Sequence, residues 1–407
     1  MLYYIIIAII IFNLALSLTL SRLNLKASKQ PIPNLLAGIY NPADYRRQQD
    51  YLSQKAAFQT IDSLVSTAVL LAMFCLGLFA TFDVWASAIS QNPIIRALAF
   101  FGIIYIIGWI IDIPFGIYST FVIEQRFGFN KSTPALYAAD LFKNLLLELV
   151  LCGALLAAVV WIYTLIPQYF WIAAWACLAV FQLLLQYFYS DVIVPIFNKQ
   201  TPLEAGELRD AIESFAREAD FKLSNIYVLN ESKRTSHANA YFTGFGSRKR
   251  IVLYDSLIEK LSTQEIVAVL AHEIGHYKHC HNIKNIITSL IISLGILAAF
   301  NAVIANEAIA QAAGCSTPSF HVNLVVFSLL LDPLTTVLGI VGNAFSRRDE
   351  WQADEFAKVH GMASHLSSAL KSLAKSNLSN LTPHPLYVIF NYSHPTMLQR
   401  IEHLTQQ

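Results

Sequence analysis

Seven stretches of this chain are apolar over about the 20 residues that a helix needs to cross a bilayer. They run over Leu2–Leu20, Leu64–Trp85, Ala97–Val122, Leu145–Ile166, Phe170–Phe188, Ile286–Ala308 and Val322–Phe345. No water satisfies a backbone inside hydrocarbon, so each stretch must close its own hydrogen bonds as a helix. The expected fold class is therefore mostly α, a polytopic membrane protein of seven transmembrane helices. Asp332-Pro333 interrupts the last stretch, which predicts a kink, or a polar group facing a cavity rather than lipid. Met1–Leu20 has no basic residue before its apolar run and no small-residue cleavage pattern close behind it. It reads as a retained span and not as a cleaved signal.

Composition agrees with a membrane protein. Of the 407 residues, 55% are hydrophobic and only 14% charged, against about 25% charged in ordinary soluble domains. A formal net charge of +1 offers nothing to attract nucleic acid. Five scattered cysteines make neither a disulfide framework nor a paired zinc pattern, and Cys75, Cys152 and Cys177, in apolar stretches, read as small core hydrophobes.

Charge predicts the orientation. The connection after the first span carries Arg22, Lys26, Lys29, Arg46, Arg47 and Lys55, while the next has only Arg96. The third has Arg126 and Lys131, the fourth none, the fifth (Ser190–Asn285) many, and the sixth (Asn306–His321) none. The tail opens with Arg347 and Arg348. This alternation puts the N-terminus outside and the catalytic segment and C-terminus in the cytoplasm. The compact tail sets the expectation of a bacterial inner membrane over the endoplasmic reticulum.

Four regions follow: spans 1–5 with their loops (1–189), a cytoplasmic region (190–283), spans 6–7 (284–345) and a cytoplasmic tail (346–407). The second should contain an amphipathic helix over Pro202–Ala219, a strand at Asn225–Leu229, and a hairpin of His237–Thr243 with Lys249–Tyr254 around Gly244-Phe245-Gly246. The tail should be helical over Asp349–His360 and Leu366–Ser376 before Pro383, Pro385 and Pro395 break it up. Neither soluble segment looks independent, so one fused unit is expected: a helical membrane barrel with a small α+β catalytic region.

The chemistry lies in Leu270–Cys280, LAHEIGHYKHC. His272 and His276 stand at i and i+4, one above the other on a helix face, and can share a metal ion with Glu273 beside it. Catalytic zinc takes such nitrogens and keeps a position open for water. The pattern points to hydrolysis by a zinc-activated water, with Glu273 as general base. Ser262-Thr263-Gln264-Glu265 is a capping box, and Ile266, Val269, Leu270 and Ile274 recur at helical spacing, so the motif sits in a capped helix. His279 is about 10 Å along the axis from His272, too far to share its ion. His279, Cys280 and His281 could make a second metal site, but a polar helix end is the preferred reading.

Two histidines need a third protein ligand, commonly a carboxylate. The segment Ser346–Asp354 offers Asp349, Glu350 and Asp354, of which Glu350 and Asp354 share a helix face. Spacing leaves the choice open, and an ordinary solvated helix start beside Arg347 and Arg348 is a competing reading.

The chain resembles the integral-membrane zinc metalloproteases of the type I CaaX prenyl endopeptidase family, a likeness running nearly end to end. It is carried by YSTFVIEQRFGFNK (Tyr118–Lys131), YSDVIVPIFNKQTP (Tyr189–Pro202), HANAYFTGFGSRKRIVLY (His237–Tyr254), the zinc helix, FSRRDEWQAD (Phe345–Asp354) and YSHPTMLQRI (Tyr392–Ile401). The resemblance implies one Zn2+ per chain on His272, His276 and Glu350, with Asp354 as the supporting carboxylate. Asp349 departs from the aromatic residue usual at that position, which is not a ligand position. His237, Asn239, Ala240 and Tyr241 resemble the strand that holds an extended peptide by strand addition. His394 resembles a histidine lying over the zinc, able to donate to an oxyanion. Arg400 is expected to anchor that segment through Asp354 or Glu350, and Glu124 and Arg126 to make structural pairs.

The fold implied is seven helices enclosing a water-filled chamber with the zinc site at its cytoplasmic end. The activity implied is removal of C-terminal tripeptides after a prenylated cysteine. The expected partners are a peptide or prenylated protein substrate and the lipid bilayer, with no nucleic acid. A quality-control protease of the HtpX type is the alternative, though that type usually has fewer spans. A channel or scaffold with structural zinc would need a fourth protein ligand, and none is evident.

Overall fold

The computed structural model describes residues 1–223, 225–243 and 250–406. Helix α1 (Leu2–Ala27) forms the first span, α2 (Pro42–Cys75) the second. A short apolar helix, α3 (Leu78–Ile89), precedes the third span, formed by α4 (Pro93–Tyr118) and a π-helical extension, Ser119–Glu124. The fourth span is α5 (Pro134–Leu165); α6 (Phe170–Phe188) and α7 (Val194–Phe197) belong to the fifth. Three of these helices start alike. Asn41, Asn92 and Thr133 cap α2, α4 and α5 through their side chains, each followed by a proline at the first helical position.

The second span differs from the expected Leu64–Trp85. Gly77 at φ 67° breaks the chain after Cys75, and the helix reaches back instead to Pro42. A search for apolar runs misses the polar first half of α2, and only glycine takes that left-handed turn without strain.

The segment between the fifth and sixth spans builds a four-stranded sheet in the order β1-β2-β4-β3. Its parts are β1 (Gln200–Pro202), α8 (Glu207–Glu218), β2 (Asn225–Leu229), β3 (Ala240–Thr243) and β4 (Arg250–Tyr254). Strand β2 runs parallel to β4; the other two pairs are antiparallel. The helix expected from Pro202 begins only at Glu207, because Thr201-Pro202 lies in edge strand β1, where a missing N–H is tolerated. Gly244-Phe245-Gly246 and Lys249 lie outside the described residues. Next come α9 (Asp255–Lys260), α10 (Thr263–Lys278), α11 (His281–Val303, the sixth span), α12 (Glu307–Ala312) and α13 (Phe320–Val359, the seventh). The sixth span ends at Val303, short of the expected Ala308. The chain closes with α14 (Ala363–Ser376), α15 (Pro385–Asn391) and α16 (Met397–Thr405).

Helix α13 crosses the boundary drawn between seventh span and tail. Its 40 residues amount to about 60 Å of helix, unbroken through Pro333, so the span and the segment carrying Glu350 and Asp354 are one rod. Around it the spans close a ring: α1 packs on α2, α4 on α5, α5 on α6, α6 on α11, α11 on α13 and α13 back on α1, while α2 meets the π-helical end of the third span. Inside, α1, α2, α13 and α15 border a cavity of about 630 Å³ with Asn13, Ser17, Gln59, Asp62, Asp332 and Asn391 in its wall. Asp332 accepts a hydrogen bond there from Asn13, as expected of a polar group turned from lipid. Cys75 and Cys152 are exposed on their helices and Cys177 half-buried. They are not core residues, because membrane helices need not bury their apolar faces in protein.

Candidate active site

Helix α10 begins at Ser262, whose side chain accepts from the Glu265 N–H while Glu265 reaches back to the Ser262 N–H. This reciprocal cap anchors the helix one face of which packs into the main soluble core, with Ile266, Val267, Leu270 and Ile274 buried against Leu253 and Leu366. The opposite side carries His272 and His276 towards α13. Gly275 lets the two helices meet there, next to Ala353.

His272 Nε2 and His276 Nε2 lie 3.2 Å apart. Glu350 Oε1 is 3.3 Å from His276 Nε2, and Glu350 Oε2 3.5 Å from His272 Nε2. Among the described residues this is the one cluster of three whose ligand atoms, all within 4.8 Å of one another, could hold a metal. Behind it, Asp354 is fully buried, and its Oδ1 is 2.8 Å from His272 Nδ1. Arg400 donates to both oxygens of Asp354, at 2.8 and 2.6 Å, and stands 3.5 Å from Glu350 Oε2. The carboxylate only accepts, so His272 Nδ1 carries the proton and the lone pair of Nε2 points into the cluster.

A metal fits this cluster on the structure's own chemistry. Glu350 Oε2 is buried yet accepts no hydrogen bond, and such an orphaned oxygen is costly unless a cation meets it. Burial pushes the Glu273 carboxyl up, with His272 and His276 only partly offsetting it. A carboxyl raised towards the working pH suits a general base. Glu273 also borders a very small void with Ala240, Tyr241, Leu253 and Leu270, which places it between the metal cluster and β3. His394 Nε2 is 3.2 Å from Glu350 Oε1 on a largely exposed side chain, and its Nδ1 bonds Ser393 Oγ at 2.9 Å.

The four residues expected along the substrate strand divide. Ala240 and Tyr241 lie in β3, an edge strand, with Asn239 exposed at its start. The Asn239 carbonyl accepts from Tyr254 N–H, and its Oδ1 from Ala240 N–H. His237 is committed elsewhere: it stacks on Phe129 at 4.3 Å, with Nδ1 3.1 Å from Asn377 Oδ1 and Nε2 3.4 Å from Glu124 Oε2. Glu124, which also accepts from Tyr51 at 2.7 Å, has the expected structural pairing and ties the strand's entrance to the third span. His237 thus ties the entrance of the strand to Phe129, Asn377 and the third span.

The expected polar helix end holds more than exposed charge. His281 is buried and bonded to His276 and Gln352, and among the described residues it makes no metal-holding group with His279 and Cys280. The sequence reading named His281 only in a possible second metal site and missed Gln352 and Gly275. Only the place of those two inside motifs already singled out could have marked them.

Comparisons with known proteins agree with this geometry. The model of the CAAX prenyl protease N-terminal region, five membrane helices, matches residues 21–199, and that of peptidase family M48 matches residues 202–407. The CAAX prenyl protease 1 homolog of Arabidopsis thaliana is 34% identical, over 93% of this chain and 91% of its own. CAAX prenyl protease 1 of Saccharomyces cerevisiae is also 34% identical (92% and 89%), and the Homo sapiens homolog 32% (92% and 88%). The crystal structure of S. mikatae Ste24p superposes with a TM-score of 0.95 at 32% identity, covering 100% of this chain and 99% of that one. Three residues that could hold a metal, beside a buried glutamate and under a ring of seven membrane helices, suit a membrane metalloprotease, and the chain belongs to peptidase family M48, in its CAAX prenyl protease branch.

Proposed function

We propose that the chain is a zinc endopeptidase that removes the C-terminal tripeptide from prenylated CaaX proteins or peptides. The observation that carries the chemistry is the convergence of His272, His276 and Glu350, with an orphaned carboxylate oxygen, beside Glu273. Those three residues would hold one zinc ion. When bound, zinc supplies Lewis acidity and lowers the pKa of a water to about 7. Glu273 takes the proton of the attacking water and returns it to the leaving amine. His394 is placed to donate to the developing oxyanion, and Asp354 with Arg400 holds His272 in its ligating tautomer. An extended peptide adds along the free edge of β3 at Asn239, Ala240 and Tyr241, held by backbone bonds whatever its side chains.

The substrate class rests on the relatives, which are named CAAX prenyl proteases. The seven-span ring favours it over an HtpX-like quality-control protease. The relatives named above are eukaryotic, which turns the membrane proposed from a bacterial inner membrane to the endoplasmic reticulum. The charge alternation supports an N-terminus outside and a cytoplasmic site.

The test is cleavage of a farnesylated CaaX peptide by the purified protein, beside Glu273→Gln and a chelated control. Zinc-dependent release of the last three residues, lost in the variant, is expected. Absence of cleavage by folded, zinc-loaded protein would move the assignment to quality-control proteolysis.

A further inference from the structure

His272 owes its tautomer to a buried carboxylate. His276 has no carboxylate behind it. Its Nδ1 faces the Nδ1 of His281 instead, at 2.9 Å. His281 is the first residue of α11, follows Cys280 in the left-handed region (φ 58°), and is 1% exposed. Its other nitrogen, Nε2, lies 2.9 Å from Gln352 Oε1 and 3.4 Å from Asp349 Oδ1.

These contacts fix two protons. A carboxylate and an amide oxygen both accept, so His281 Nε2 carries a hydrogen. The two facing Nδ1 atoms, 2.9 Å apart, hold one proton between them, and a ring that donates from Nε2 offers its lone pair at Nδ1. Across 2.9 Å that lone pair can only be met by a proton on His276 Nδ1. His276 Nε2 is left bare, pointing at His272 Nε2 and Glu350 Oε1. The two proton positions are assigned from the network of partners, and Asp349 supports them independently of which way the Gln352 amide is turned.

We infer that His281, oriented by Gln352 and Asp349, is the positioning residue that holds His276 in its metal-ligating tautomer. It does for His276 what Asp354 and Arg400 do for His272. Its partners stand on α13 at either side of Glu350, so one helix carries the third ligand and steadies both histidines. The inference rests on the reading of His272, His276 and Glu350 as a zinc site.

The experiment measures zinc affinity of the purified full chain, by competition with a chromophoric chelator, for wild type, His281→Leu, His281→Asn and Gln352→Leu. Melting of each metal-free form is recorded alongside. His281→Leu removes the acceptor and is expected to weaken zinc binding about 10–100-fold, as loss of an outer partner does. Gln352→Leu should lose less. His281→Asn, whose Oδ1 can occupy the place of Nδ1, should stay near wild type even if its metal-free form melts as early as that of His281→Leu. That contrast is what a packing role would not produce. Wild-type affinity in His281→Leu, or equal losses in His281→Asn and His281→Leu, would overturn the inference. If His281→Leu does not fold, Gln352→Leu against the acceptor-keeping Gln352→Glu makes the same comparison, and equal affinities there overturn it. A wild-type chain that binds no zinc would overturn the site reading itself, a result distinct from the others.

Discussion

Gly275 stands against Ala353 with room for nothing larger than hydrogen. A methyl group on Gly275 would lie 2.9 Å from Ala353 Cα, 3.0 Å from Phe356 Cβ and 3.1 Å from the Ala353 carbonyl oxygen. Gly275 adjoins His276, and Ala353 adjoins Asp354 and lies three residues after Glu350. The contact therefore sets how close the two histidines come to the carboxylate on the other helix.

Gly275→Ala should push α10 and α13 apart. Overpacking of this kind costs about 1–3 kcal/mol, and a shift of a few tenths of an ångström falls directly on the ligand triangle. The expected result is a lower melting temperature together with loss of bound zinc, read by metal analysis of the purified variant. Full zinc occupancy would show that the helix contact does not set the ligand spacing.

Glu273→Gln keeps size and shape and removes the base. Its kcat should fall about 10²–10⁴-fold, the usual contribution of general acid–base catalysis, with zinc content unchanged. Loss of the metal along with activity would assign Glu273 a part in holding the ion.

Arg400→Ala should leave Asp354 as a buried charge without its cation and with only the His272 N–H on it, since Arg400 meets both of its oxygens. Breaking one half of a buried pair typically costs about 3–5 kcal/mol. Chemical denaturation of the metal-free protein measures it, and a loss of only about 1 kcal/mol would place the pair in the range of exposed salt bridges.

Asp83, on α3, accepts two bonds from Arg96 at 2.9 and 2.7 Å, and its Oδ1 lies 2.6 Å from His321 Nε2. Burial would raise its carboxyl, but the His321 and Arg96 bonds outweigh it and hold the group below the ordinary 3.8. A depressed acid contributes stability above its unfolded pKa and loses it as pH falls through the folded value. Asp83→Asn should therefore lower the melting temperature at neutral pH, by an amount matching about 1.5–3 kcal/mol for charged hydrogen bonds. The gap from wild type should narrow as pH falls below about 4. A gap that persists unchanged at low pH would assign the loss to packing.

Much of this was legible along the chain. The seven spans, the capped helix under His272 and His276, and the strand at Asn225–Leu229 follow from apolar length, period and end residues, which act within one element. Errors came where an element's limits depend on something other than apolarity. The polar half of α2 belongs to a span, and Thr201-Pro202 serves a strand because β2 lies alongside it.

The sequence by itself determined the local arrangement of the proposed site: His272 and His276 lie four residues apart, where helical geometry alone brings them to one face, with Glu273 beside them. From the residues alone, Asp349, Glu350 and Asp354 were equal candidates, and only the family resemblance made His237 a peptide contact. Only the tertiary structure turned Glu350 towards the imidazoles, set Asp354 behind His272, put His281 behind His276 and stacked His237 on Phe129. The physical reason is separation in the chain. Glu350 lies more than 70 residues beyond His276 and Arg400 more than 120 beyond His272, and no local period encodes a distance across such a gap. Even His281, five residues from His276, reaches it only because Cys280 reverses the backbone between two helices.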